Sequence, residues 1–158
     1  MVESIKILKA TINDLMDILN LQKTAFLTEA ELYNDYDIEP LTQSFDSIKT
    51  DFKNYTFLKA EYESKIVGSV KARETAEFTW IGRLIVSPEY QNRGIGRKLM
   101  NQIENEFPGT KEYLLCTGYK SIKNIKLYES LGYQKSEIFY DERNNNLQLI
   151  KMIKRIKM

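Results

Sequence analysis

Apolar residues alternate with polar ones at the start of the chain and then recur at the spacing of a helix. Residues 2–9 alternate and predict a strand, whereas residues 11–26 carry apolar side chains three and four positions apart and predict a helix. Residues 28–41 are polar and aromatic, and they predict a segment without regular structure that ends at Pro40. Apolar positions in residues 45–52 then predict a second, short helix.

The rest of the chain is rich in strand patterns, interrupted by two more helices. Runs of β-branched and aromatic residues predict further strands at residues 55–62, 65–73, 78–86, 112–117, 133–140 and 147–156. Helical spacing predicts helices at residues 94–107 and 121–131. We expect a hairpin turn at residues 63–64 and an asparagine-rich turn at residues 144–146. The order β-α-α-β-β-β-α-β-α-β-β predicts one α+β domain over residues 1–158.

Composition excludes several kinds of chemistry. The 158 residues include no histidine and one cysteine, Cys116, which excludes Ser-His-Asp and Cys-His nucleophiles and histidine-containing zinc sites, so no metal is expected. Cys116 lies in an apolar run and is expected to be a buried structural thiol. The net charge of +1 gives no field for binding nucleic acid or a membrane. Without a signal or membrane-spanning pattern, we expect a cytoplasmic protein.

The densest motif is the strand-to-helix turn within residues 84–97. Gly94 and Gly96 leave the backbone open at the start of a helix, where unpaired N–H groups and the helix dipole favour phosphate. A Rossmann fingerprint needs a third glycine where this chain has Leu99, and a Walker A loop needs lysine where it has Arg97. The alternative is a tight turn that binds no ligand.

Two spaced motifs resemble a known family. Gln91, Gly94 and Gly96 form a Gln-x-x-Gly-x-Gly pattern that resembles the acetyl-CoA loop of the GNAT superfamily of N-acetyltransferases. After one further strand, residues 127–133, Leu-Tyr-Glu-Ser-Leu-Gly-Tyr, resemble the family's Leu-Tyr-x-x-x-Gly-Phe/Tyr helix end. The resemblance implies the GNAT-type acyltransferase fold, with a mixed central sheet of about seven strands and about four helices.

The resemblance also implies which residues hold acetyl-CoA. The implied cofactor-binding residues are Leu84, Ile85, Val86, Gln91, Asn92, Arg93, Gly94, Ile95, Gly96, Arg97, Ser121 and Asn124. In many members an asparagine seven residues before the motif tyrosine contacts the pantetheine arm. This chain has Ser121 there and Asn124 one turn later, so either side chain could make the contact. Tyr128 is implied as the general acid that protonates the departing thiolate.

The sequence signals for the residues that bind the acceptor amine are less specific. Candidate substrate residues are Glu29, Glu31, Tyr33, Glu77, Trp80 and Arg83. The three glutamates are candidates for the general base, and a solvated surface carboxylate is the alternative for each. Alternation puts Trp80 and Arg83 on opposite faces of their strand unless a bulge intervenes. Residues 29–39 contain five acids, no base and two tyrosines. The resemblance implies that acceptor-binding groups lie in this region, so we hypothesise that it attracts a cationic amine. An ordinary solvated loop is the alternative.

These patterns predict an acetyl-CoA-dependent N-acetyltransferase that acts on a primary amine, with a small cationic amine favoured. The acceptor is therefore a small molecule or a peptide, and a protein or peptide N-acetyltransferase is one alternative. A non-catalytic acyl-CoA-binding or regulatory module is the other. The charge balance gives no support to an RNA acceptor, and a homodimer is compatible with the sequence.

Overall fold

A computed structural model of the protein describes residues 4–142 and 144–156. The strands are β1 (Lys6–Lys9), β2 (Thr56–Tyr62), β3 (Lys65–Glu74), β4 (Thr79–Val86), β5 (Glu112–Gly118), β6 (Gln134–Asp141) and β7 (Asn144–Arg155). The helices are α1 (Leu15–Ala25), α2 (Leu27–Tyr33), α3 (Glu39–Thr42), α4 (Phe45–Asn54), α5 (Ile95–Asn105) and α6 (Ile122–Ser130). Two 3₁₀ turns, Ile12–Asp14 and Pro88–Tyr90, precede α1 and the loop to α5.

The strands form one mixed sheet in the order β1-β2-β3-β4-β5-β7-β6. Neighbouring strands are antiparallel except β4 and β5, which are parallel. Within the described residues, these two strands pair only at Thr79 with Tyr113 and at Trp80 with Leu114. Residues 81–86 of β4 and 115–118 of β5 therefore diverge and leave a gap in the middle of the sheet.

Apolar side chains on both faces of the sheet hold the helices. Phe57 and Leu58 are consecutive in β2 and join different buried clusters, as alternation along a strand requires. One cluster packs α5 against the sheet through Ile95, Leu99, Met100 and Ile103. The other packs α1 and α4 through Leu15, Ile18, Leu19 and Ile48. The predicted mixed sheet with helices on it is confirmed.

A bulge in β4 changes which face one charged side chain occupies. Gly82 and Ile85 of β4 pair with β3 residues two positions apart, so β4 carries one extra residue between them. Arg83 lies in this bulge with a φ of 52°. Arg83 forms an ion pair with Glu39 of α3, so the bulge turns Arg83 toward the face of the sheet that bears α3. Trp80 lies two positions before Gly82, and alternation along β4 puts it on this face as well. The two side chains share a face.

The segment expected to lack regular structure contains two helices instead. Residues 28–41 include most of α2 and the first three of the four residues of α3. Pro40 lies in the first turn of α3, where its missing N–H loses no helical hydrogen bond, so it helps begin a helix where we expected the end of an irregular segment. Asn34, with a φ of 49°, ends α2 in the left-handed conformation.

Other boundaries differ by a few residues. β1 begins at Lys6, not at residue 2, and residues 1–3 lie outside the described part of the chain. β7 begins at Asn144, so the asparagine-rich stretch 144–146, where we expected a turn, belongs to the strand. The hairpin at residues 63–64 is confirmed, since both residues have the positive φ that a tight turn needs. Among the described helices, none combines the length and the apolar character needed to cross a membrane.

Candidate active site

Two adjoining cavities lie along the part of β4 that is not paired with β5. The larger, of about 630 Å³, runs from the end of β4 along the loop before α5 to the first turns of α6, and we call it the large cleft. The smaller, of about 210 Å³, lies among β4, β5, α2, α3 and the β6–β7 hairpin, and we call it the small cavity. Four residues line both: Phe26, Glu29, Leu84 and Asn124. A molecule in one space can therefore meet a molecule in the other.

The large cleft ends at the N-terminus of α5. Gly94 is the N-cap of this helix and has a φ of 81°, which glycine adopts without strain. A Cβ added at Gly94 would find no described atom within 4 Å, so the backbone angle, not crowding, is what favours glycine there. The first N–H groups of α5 have no partner within the helix, which makes this end of the cleft suited to a phosphate.

The structure places nearly all of the implied cofactor residues around the large cleft. Those that line it are Leu84, Ile85, Val86, Gln91, Asn92, Gly94, Ile95, Gly96, Arg97, Ser121 and Asn124. Arg93 does not line it; its guanidinium lies over the ring of Tyr90, 5.2 Å from the ring centroid. Arg97 lines the cleft while its Nη2 donates to Ser130 Oγ at 2.8 Å.

Helix α2 is bound across the gap to the start of α6. Ser121 Oγ donates to Glu29 Oε2, and Asn124 Nδ2 donates to Glu29 Oε1 at 3.2 Å. The backbone N–H of Lys120 donates to Tyr33 Oη at 2.6 Å. We call these three contacts the α2 bridge. Tyr33 also packs so closely on Gly118 that a Cβ there would overlap its hydroxyl, so Gly118 makes the bridge possible.

Tyr128 lines the small cavity from α6. Its side chain is buried, and its ring packs edge-on against Tyr133 with 6.1 Å between the ring centroids. Burial raises the pKa of Tyr128, and the negative charge of Glu29 raises it further. The hydroxyl is therefore protonated at neutral pH and can donate a proton.

The small cavity is acidic. Three carboxylates line it, those of Glu29, Glu39 and Asp141, against the single guanidinium of Arg83. Arg83 forms an ion pair with Glu39, and its Nη1 also donates to Gln43 Oε1 at 3.5 Å. The cavity therefore favours a positively charged guest, and apolar side chains such as Phe26 and Leu149 form other parts of its wall.

The structure brings together only half of the predicted acceptor residues. Glu29, Tyr33 and Arg83 line the small cavity. Glu31, Glu77 and Trp80 line neither cavity, and Glu31 and Glu77 are exposed to solvent. Glu77 lies in a turn before β4, where Thr75 Oγ1 accepts its backbone N–H at 3.3 Å. Trp80 lies where β4 is still paired with β5, before the gap opens.

Other residues that line the small cavity were not predicted from the sequence. Glu39 belongs to the acidic run, but Pro40 beside it suggested a segment end and not a helix that carries a carboxylate into a cavity. Asp141 reaches the cavity from the end of β6, and no local pattern indicates that. Cys116 is only partly buried and lines the small cavity, so the expectation of a buried thiol is wrong in degree.

Comparison with known proteins gives one family and a shared fold. The model of the acetyltransferase (GNAT) family matches residues 12–133. The chain is 24% identical over 137 residues to the UPF0157 protein YqkA of Bacillus subtilis (strain 168), a match that covers 87% of this chain and 39% of that protein. The chain thus spans well under half the length of this curated relative.

Solved structures have the same fold at low sequence identity. The ribosomal-protein-S18-alanine N-acetyltransferase from Escherichia coli superposes with a TM-score of 0.79 at 19% identity, covering 98% of this chain and 96% of that one. The PaiA N-acetyltransferase from Thermoplasma acidophilum, in complex with coenzyme A, superposes with a TM-score of 0.70 at 20% identity, covering 97% and 99%. At these identities the likeness establishes the fold.

Proposed function

The chain belongs to the acetyltransferase (GNAT) family, and from this premise we propose that it transfers the acetyl group of acetyl-CoA to a small cationic primary amine. One observation carries the proposal: a large cleft that ends at a helix N-terminus opens, at Glu29 and Leu84, into a small acidic cavity lined by Tyr128. The acetyl donor occupies the first space and the amine the second.

The large cleft suits a long, anionic donor. Its volume of about 630 Å³ lies within the range of cofactor sites, and the open N-terminus of α5 with Arg97 suits the pyrophosphate. Residues 84–86 of β4 lie beside the gap, where β5 has diverged, so this edge of β4 can pair with the amides of the pantetheine arm. When bound, acetyl-CoA supplies the acetyl group as a thioester at the junction of the two cavities.

Tyr128 supplies the proton for the departing thiolate. Tyr128 lines the small cavity from α6, one helical turn after Asn124, which lines both cavities. Burial raises its pKa, so the proton is present before reaction, but the hydroxyl is then a weaker acid than an exposed phenol. We therefore expect Tyr128 to donate its proton as the amine nitrogen loses one. The proton from the nitrogen then restores the Tyr128 hydroxyl.

The small cavity favours a compact cation. Its volume of about 210 Å³ equals that of about seven water molecules, which suits an aliphatic amine or one amino-terminal residue better than a large glycoside. Its three carboxylates outnumber its one guanidinium, so the net negative charge of the lining stabilises an ammonium group. We also propose a cytoplasmic location, because a single cysteine is typical of reducing compartments.

An amine panel tests the proposal. Thiol release from acetyl-CoA would be measured with diamines and polyamines, amino acids, aminoglycosides, and a peptide that begins with alanine. We expect release with the compact cationic amines and little with aminoglycosides. If the peptide is acetylated fastest, the acceptor is a peptide and not a small amine. Binding of coenzyme A without turnover of any amine would favour the non-catalytic acyl-CoA-binding module.

A further inference from the structure

We propose that Glu29 is the general base of this reaction, a carboxylate that binds the acceptor ammonium and takes its proton, and that Ser121 and Asn124 position it. The inference rests on the proposed acetyl transfer and adds the residue that makes the amine nucleophilic. An ammonium group has no free electron pair, so its deprotonation must precede attack on the thioester.

Location separates Glu29 from every other carboxylate at the site. Among the described residues, it is the one acid that lines both the large cleft and the small cavity. Glu39 and Asp141 line only the small cavity. The thioester and the amine must meet at the junction of the two spaces, and a base must lie within hydrogen-bonding reach of the attacking nitrogen. Glu29 lies at that junction.

The α2 bridge holds the Glu29 carboxylate in place. Ser121 donates to one carboxylate oxygen and Asn124 to the other, so the group cannot rotate away from the junction. A carboxylate has about four acceptor positions, and these two bonds leave about two for an ammonium. A side chain fixed in this way loses little entropy when it binds substrate, which is what an effective base requires.

The two side chains that hold the proposed base and the side chain of the proposed acid lie on one face of α6. Ser121, Asn124 and Tyr128 are three and four positions apart, so their side chains follow one side of the helix. Glu29 and Tyr128 both line the small cavity, so the carboxylate and the phenol border the same space. The two side chains that hold the base therefore lie on the face that carries the proton donor.

The protons balance in this scheme. One proton of the ammonium moves to Glu29 and later to water. The freed electron pair forms the C–N bond, the C–S bond breaks, and the thiolate takes the proton of Tyr128. A second nitrogen proton restores the Tyr128 hydroxyl, and the nitrogen keeps the third in the amide. The products are the acetylated amine, coenzyme A as the thiol, and one proton released to water.

The test is Glu29→Gln, which keeps the size and most of the hydrogen-bonding capacity of the side chain. The matched control is Glu31→Gln on the same helix, since Glu31 is exposed and lines neither cavity. With a strongly basic amine at neutral pH, we expect Glu29→Gln to lower kcat/KM by about 10²–10³-fold and the control to change it less than about twofold. The affinity for coenzyme A, measured by calorimetry, should change little in both variants.

Two further readouts distinguish a carboxylate that acts on the ammonium from a residue that only supports the fold of the site. The deficit of Glu29→Gln should shrink as the pH approaches the pKa of the amine, because the amine then loses its proton to water. It should also shrink with a fluorinated alkylamine, which is uncharged at neutral pH. A deficit equal at all pH values and with both amines would overturn the base role, and so would the absence of any deficit.

A second variant keeps the test decisive if Glu29→Gln fails to fold. Ser121→Ala removes one of the two donors that hold the carboxylate and leaves the carboxylate itself. We expect a smaller deficit, about tenfold, with the same dependence on pH and on the basicity of the amine. An unchanged pH profile in this variant would contradict the positioning role. Wild-type turnover with the amine panel tests the proposed function separately, so failure of that function and failure of this inference give different results.

Discussion

At the scale of single residues, Tyr128 offers the cleanest test of the chemistry. Tyr128→Phe keeps the ring and its edge-on packing against Tyr133, and it removes only the hydroxyl. We expect folding and coenzyme A affinity to change little, while the single-turnover rate falls by about 10²–10⁴-fold, the usual contribution of a general acid. Rapid-quench measurement gives this rate without interference from product release.

A control for Tyr128→Phe is Tyr119→Phe. Tyr119 is exposed in the loop before α6 and lines neither cavity, so its loss of a hydroxyl should leave the rate unchanged. Near-normal single-turnover rates in Tyr128→Phe would show that water or another group protonates the thiolate.

Cys116 gives a second prediction at this scale. Burial raises the pKa of its thiol from 9.0 to about 11, although nearby Lys151 lowers it in part and Glu137 raises it. The thiolate is the reactive form, so at pH 8 the fraction available is about 100-fold smaller than at the ordinary pKa. We expect iodoacetamide to label the native protein about 100-fold more slowly than the denatured protein, as followed by mass spectrometry. Equal labelling rates would mean that the thiol is not held in this environment.

Residues differ in how far the sequence alone predicts their place. Gly94 and Tyr128 were predicted because each belongs to a short motif within one strand-to-helix turn or one helix, where spacing determines geometry. Asp141 was not, because it reaches the small cavity through the pairing of β6 with β7, and such long-range contacts leave no local periodicity. Arg83 was placed only conditionally, since its direction depends on a bulge that alternation of residue types does not reveal.

At the scale of elements, the N-terminus of α5 should determine the affinity for coenzyme A. Gly96 lies in the first turn, and a Cβ there would contact Leu127 at 3.5 Å, so a larger side chain must extend into the large cleft. We expect Gly96→Trp to weaken coenzyme A binding at least tenfold in calorimetry while the far-ultraviolet circular dichroism is retained. The control is Gly109→Trp, at an exposed position where an added Cβ meets no described atom within 4 Å. Equal affinity in the Gly96 variant and the control would argue against pyrophosphate binding at this turn.

Elements were predicted best where one side of a long segment is apolar. Helix α5 has 11 residues and buries four of them, Ile95, Leu99, Met100 and Ile103, so its periodicity is plain. Helix α2 has seven residues and buries only Ala30, and α3 has four residues and buries none, so neither gives an apolar stripe to detect. These two helices form one wall of the small cavity, so the lining of this cavity was less predictable than that of the large cleft.

At the scale of the whole molecule, the carboxylates of one cavity, and not the net charge, should determine the attraction of cationic amines. The net charge of +1 gives no general attraction for cations, yet three carboxylates line the small cavity. We expect kcat/KM for a cationic amine to fall by about twofold to fivefold as ionic strength rises from about 50 to 300 mM, because salt screens the approach. An uncharged, weakly basic amine serves as the control and should show little change. Salt-independent kinetics with the cationic amine would contradict the electrostatic attraction.

The divergence of β4 from β5 also makes the protein a candidate for fragment complementation. A break at exposed Gly109 would separate β1–β4 and α1–α5 from β5, α6, β6 and β7, and the large cleft takes its walls from both pieces. A ligand that touches both pieces strengthens their association by mass action. Two co-expressed halves, each fused to part of a split luciferase, should therefore associate more tightly as the concentration of acetyl-CoA rises. The luminescence of such a pair would then report the concentration of this metabolite.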